Sequence, residues 1–145
     1  MAFLSTMNIN ASGMTAQRMR LDIVSENVAN IETTRTESGK PYKRKVVVLE
    51  AQEHTNFHQA LQKAANKTSY GGVKVTQVLE DQREGKLVYD PSHPDADEEG
   101  YVNLPNVDLV KETVDGMAAT RAYEANITAF NAVKLMAQKA LEIGK

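Results

Sequence analysis

Three clusters in the 145-residue chain carry side chains whose types and spacing could do chemistry. His54 and His58 are four residues apart, as two metal ligands on one helix face would be, and Glu53 adjoins them. The zincin order H-E-x-x-H is missing, because Thr55 follows His54, and no third ligand is indicated, so a surface histidine pair is the simpler reading. Asp95, Asp97, Glu99 and Gly100 overlap the start of a calcium loop. The twelfth position, which needs a bidentate glutamate, is Asn106, preceded by Pro105, so the expectation is a turn held by aspartate side chains. Ser92 and His93 are sequence neighbours, which does not place them in nucleophile-base geometry, and no G-x-S-x-G elbow is present. Glycines never cluster into a phosphate cradle. No enzyme, metal or cofactor is expected.

The elements that would position such groups are unusual for a small chain. Residues 107–143 contain no proline and one glycine, Gly116. At 1.5 Å per residue they would make a helix of roughly 55 Å, too long to pack inside a compact ball of this size. Its apolar residues fall on two stripes. Tyr123, Ile127, Phe130, Val133, Ala137 and Leu141 form a bulky one suited to an intrachain partner. Ala118, Ala122, Ala125, Ala129, Ala132 and Met136 form a small one that would let a second helix come close, and the five alanines are the expected subunit interface. Alanine is also the strongest helix former, so the small stripe does not decide by itself.

The partner lies at the other end of the chain. Leu4, Met7, Ala11, Met14, Leu21, Val24, Val28 and Ile31 follow three-four spacing, and Met7, Met14, Leu21 and Val28 are each seven apart. Gly13 costs about 1 kcal/mol against alanine in a helix interior, so this segment alone in water is marginal. The two termini are expected to pair, antiparallel or steeply crossed, with both chain ends at one end of a rod. Met7, Met14, Leu21, Val24 and Val28 would face Tyr123, Ile127, Phe130, Val133 and Leu141.

Between them, residues 42–49 read as a valine-rich strand, with Lys43, Arg44 and Lys45 as its solvated basic end. A short helix is expected around residues 57–65. Residues 73–78 and 86–89 read as two strands of a hairpin, making a small three-stranded sheet with the first. Residues 90–107 form an extended, ordered connector, with Asn106 or Asp108 placed to cap the long helix. The fold class is therefore mainly α: long N- and C-terminal helices paired as a coiled-coil-like rod domain, with a small β-containing insert. The divisions expected are an N-terminal helix (1–33), an insert with connector (34–102) and a C-terminal helix (103–145).

Composition fits one globular domain, 41% apolar and 25% charged. With 17 basic and 19 acidic residues, nothing suggests nucleic-acid binding. The absence of cysteine excludes a disulfide framework and thiolate metal sites. The first twenty residues lack the basic and apolar regions of a secretory signal, and no run of eighteen apolar residues suggests a membrane span.

The termini also carry a resemblance. Residues 12–33, SGMTAQRMRLDIVSENVANIET, resemble the N-terminal motif of flagellar rod, hook and filament axial proteins, S-G-L-x-A-x-x-x-R followed by N-x-A-N-x-x-T. Asn27, Ala29, Asn30 and Thr33 fall on it, while Glu26 replaces the more usual asparagine. The C-terminal stretch is similar to the same family's R-x-Y-E-A-N helix through Arg121, Tyr123, Glu124, Ala125 and Asn126. PYKRK at residues 41–45 and the connector, with Asp90, Pro91, His93, Pro94, Gly100, Tyr101, Pro105 and Asn106, look like the proximal-rod branch of that family.

The resemblance implies a structural subunit of the drive shaft that crosses the periplasm in the basal body and transmits torque. It implies helical polymerisation with other copies of itself and with other rod proteins, next to membrane-ring and export-gate components. Export through the flagellar type III apparatus without a cleaved signal is implied too, as are termini that fold only on assembly. The competing class is a helical adaptor that binds a partner helix through amphipathic termini.

Overall fold

The structure, a computed structural model, describes residues 2–52 and 71–143. Two helices dominate it: α1, Ala2–Ala29, and α2, Leu109–Ile143, of 28 and 35 residues. Between them lie β1 (Lys45–Ala51), β2 (Val73–Glu80), β3 (Lys86–Tyr89) and β4 (Tyr101–Leu104). The expected histidine pair with Glu53 and the expected helix at 57–65 lie outside the described residues.

α2 starts where Asp108 caps it. The Asp108 carboxylate accepts from the backbone N–H groups of Val110 and Lys111 at 2.9 and 3.3 Å, satisfying donors that no helical carbonyl can reach. Of the two capping candidates, Asp108 takes the role and Asn106 has another. α1 ends where Asn30 turns its side-chain amide back onto the Glu26 carbonyl at 2.9 Å and the Thr33 hydroxyl donates to the Asn30 side-chain oxygen Oδ1 at 3.1 Å. The final N-x-x-T of the N-terminal motif is thus a C-terminal stop for the helix.

The helices pack antiparallel. Asn27 bonds Glu112 near one end of the pair, and Gly13 faces Asn126 further along. A Cβ on Gly13 would sit 2.8 Å from the Asn126 amide oxygen, so the glycine that weakens the isolated helix makes room for its partner. Ala16 and Ala119 are buried in this contact.

This register puts Ala2 opposite Ala137, so among the described residues the last turns of α2 run past the end of α1. That corrects the packing expected for Leu141, which is 77% exposed. Ile127 is 36% exposed, whereas Val133 is buried and Tyr123 and Phe130 are half-buried. On α1 the deepest line is Ala16, Ile23 and Asn27, because α1 is packed by α2 and also by the β1-β2 pair. Met7, Met14, Leu21, Val24 and Val28 are half-buried beside it.

The strands form two separate antiparallel pairs instead of one sheet. β1 pairs with β2 from Lys45↔Glu80 to Ala51↔Val73, with an irregularity at Val48/Leu49. β3 pairs with β4, drawn from the stretch expected to be a plain connector. The expected β2-β3 hairpin fails because residues 81–85 are held open: the Asn106 amide donates to the carbonyls of both Asp81 and Arg83, each at 3.0 Å. β3 and β4 instead close over a loop built on aspartates. Asp90 accepts from the backbone and hydroxyl of Ser92, and Asp97 from the backbone of Glu99 and Tyr101. Gly100 supplies φ +84° beneath Tyr89, whose ring meets that of Tyr101 edge-on at 5.3 Å.

Candidate functional site

The most buried polar chemistry in the described residues is a junction where four segments meet. Glu112, in the first turn of α2, is fully buried, and so nearly is Asn27 in the last turns of α1. Arg44, just before β1, places its Nε 2.5 Å from Glu112 Oε1 and donates through Nη2 to Asp115 at 3.1 Å. Asn27 donates from Nδ2 to Glu112 Oε2 (3.0 Å) and to the Lys45 carbonyl (2.9 Å). Its amide oxygen accepts from the Tyr42 hydroxyl and from the Lys45 N–H, both at 2.9 Å. From the connector, Asn106 Oδ1 accepts the Arg44 N–H at 2.7 Å. Glu26 pairs with Lys45, whose ammonium also lies over the Tyr42 ring.

A carboxylate this deep survives in charged form only with a cation and further donors, and Arg44 with Asn27 supplies both. Burial, with Glu26, Glu112 and Glu80 nearby, pushes the Tyr42 hydroxyl up to about 12. The expectation of a solvated basic strand end is therefore wrong for Arg44, whose side chain is 10% exposed. Lys43 alone behaves as expected, reaching Gln82 at the surface.

The motif residues sort by this geometry. Asn27 and Asn106 are junction members, and Asn30 and Thr33 end α1. Ala29 is exposed. Asp90, His93, Gly100 and Tyr101 shape the β3-β4 loop, with the His93 Nδ1 accepting the Asp95 N–H at 3.1 Å. Pro105 is buried, while Pro91 and Pro94 are exposed. On α2, Asn126 donates to the Ala122 carbonyl at 2.8 Å against Gly13, Tyr123 is half-buried, and Arg121 and Glu124 are exposed. Sequence reasoning missed Glu112, Tyr42 and the burial of Arg44. The available signal was an acid one turn inside a capped helix and a tyrosine beside the basic run.

The outer side of α2 is the second feature. Ala118, Ala125, Ala129 and Ala132 are exposed and Ala122 is half-exposed. Val110, Val114, Met117, Leu135 and Met136 are large apolar residues exposed on the same helix. Among the described residues no helix is long and apolar enough to cross a membrane.

Known proteins are similar to this chain in sequence along its length. The profile of the family described as "Flagella basal body rod protein" matches residues 7–35, and that of "Flagellar basal body rod FlgEFG protein C-terminal" matches residues 98–143. The flagellar basal-body rod protein FlgC of Bacillus subtilis is 48% identical, with 100% of each chain covered. That of Escherichia coli O157:H7 is 41% identical over 100% of each, and that of Borreliella burgdorferi 40% identical over 99% of this chain and 98% of its own. With identity at that level along its whole length, the chain belongs to the FlgC family of flagellar basal-body rod proteins.

Proposed function

We propose that this chain is a structural subunit of the flagellar basal-body rod, not an enzyme, and that it polymerises helically in the proximal rod with its own copies and with other axial proteins. The observation that carries the assembly reading is the outer side of α2. Several large apolar residues there lie open in the single chain, and burial between neighbours would stabilise the assembly by about 25 cal/mol per Å² of apolar surface covered. Subunits that join different patches in a contact that does not close grow into helical arrays.

In this reading α1 and α2 act as one coiled-coil-like rod domain, 1–33 with 103–145, around the insert 34–102. The stripe Ala118, Ala122, Ala125, Ala129 and Ala132 meets a neighbouring helix. Load passes along many such helices lying side by side, and the junction keeps each pair from deforming. Membrane-ring and export-gate components adjoin the rod, and the subunit reaches it through the flagellar type III apparatus.

The test replaces Ala125 or Ala129 by tryptophan. Secretion of the variant should match the parent, while its recovery in isolated basal bodies falls sharply. Normal incorporation would remove the alanine stripe from the interface.

A further inference from the structure

The start of β2 is tied to α1 through a hydroxyl. The Gln52 N–H donates to the Gly72 carbonyl at 2.6 Å, one rung beyond the last β1-β2 pair, Ala51↔Val73. Bonded and non-bonded pairs alternate in an antiparallel ladder, so the Val73 N–H faces away from β1. Ser12 meets it there: the Ser12 hydroxyl donates its hydrogen to the Ile9 carbonyl at 2.7 Å and accepts the Val73 N–H at 3.0 Å. The fit excludes any further side chain, since a Cβ on Gly72 would lie 2.2 Å from Ser12 Oγ and one on Gly71 would lie 1.7 Å from the Gln52 carbonyl oxygen.

Gly13, the next residue of α1, is where Asn126 of α2 fits. Adjacent residues thus hold two unlike partners, β2 through a hydroxyl and α2 through the lack of a side chain. Sliding α1 by one turn would bring Asn8 or Ala16 to Gly72 and Ile9 or Gln17 to Asn126. Asparagine is too large for the gap at Gly72 and alanine carries no acceptor, while isoleucine and glutamine would both fill the space taken by the Asn126 amide. We infer that Ser12 and Gly13 form a register key. The seating of α1 on α2 fixes the Ser12 hydroxyl, and that hydroxyl fixes the start of β2 and the two stems, Gln52 and Gly71, from which residues 53–70 continue. Helix register is thereby relayed to a strand 61 residues away in sequence. The key works within one chain and stands whether or not the rod reading does.

Residue-resolved amide hydrogen exchange on the purified full chain tests the relay. The Val73 amide should be protected in the parent. Ser12→Ala removes its acceptor and should speed its exchange about fivefold. Gly13→Val acts from a distance, because the atoms nearest a Cβ at that position belong to Asn126. It should speed Val73 at least as much, and adding Asn126→Ala should bring the rate back toward the parent. The Asp90 amide, bonded to the Gly100 carbonyl at 2.9 Å, is the control and should keep its rate throughout. Should Gly13→Val speed Asp90 as well, the whole fold has loosened, and Gly13→Ala, which adds one carbon, decides in its place. A Val73 amide that is unprotected in the parent, unmoved by Ser12→Ala or by the change at Gly13, or not restored by Asn126→Ala overturns the inference.

Discussion

Replacing Arg44 by methionine keeps most of the alkyl stem and deletes the guanidinium. Glu112 then remains fully buried with only the Asn27 amide as a donor, having lost the 2.5 Å partner that balances its charge. Removing one member of a buried ion pair costs about 3–5 kcal/mol, a large part of the 5–15 kcal/mol that holds a typical domain folded. With a urea dependence of about 1–3 kcal/mol per molar, the midpoint should fall by roughly 2 M in urea unfolding followed by helical circular dichroism.

The double variant Arg44→Met with Glu112→Leu removes both charges and leaves Asn27 Nδ2 its bond to the Lys45 carbonyl. It should therefore be less destabilised than the sum of the single changes, with a coupling of about 0.5–3 kcal/mol. Arg83→Met, which breaks an exposed pair with Asp81, is the control and should leave the midpoint where it was. An Arg44→Met midpoint within about 0.5 M of the parent, or strict additivity in the double variant, would refute the claim that the junction is a coupled buried unit.

Three further outcomes follow from the same geometry. Asn27→Ala strips Tyr42 and the Lys45 N–H of an acceptor and Glu112 of a donor, and should cost about 2–3 kcal/mol in the same urea assay. Because the Tyr42 hydroxyl titrates higher in the folded state than its ordinary 10, its contribution is intact below pH 10 and fades as pH rises toward 12. Melting curves of the parent should accordingly fall between those values more steeply than those of Tyr42→Phe, and parallel curves would contradict the burial argument. Gly100→Ala forces a left-handed φ on an L-residue and pushes Cβ to 3.0 Å from the Tyr89 ring, so it should cost about 1–3 kcal/mol, read as a lowered melting temperature.

The long elements were legible because their signals are local. An uninterrupted run ending in an aspartate cap gives α2 to within two residues at its start, and the strand at residues 86–89 falls where β3 lies. Pairing was not legible. The choice between a β2-β3 hairpin and two separate ribbons depends on Asn106, which sits 25 residues from the carbonyl it holds. Arg44 looked solvated for a similar reason: its partner Glu112 is 68 residues away, and a basic residue flanked by two lysines carries no mark of burial. On α2, Ala118 is exposed and Ala122 half-exposed, yet Ala119 between them is fully buried. One residue turns a helix by about 100°, so when neighbouring alanines are alike only the partner decides which one it covers.

Where small residues such as Ala16 and Ala119 line the contact between the helices, side-chain shape offers little resistance to a slip of one turn, about 5.4 Å. Four strands of chain pinned through Asn27, Arg44, Asn106 and Glu112 oppose that slip, because shear would break all their bonds together and strand a carboxylate in an apolar setting. The pair can thus bend as a smooth post while behaving as a clamped one under a lengthwise pull.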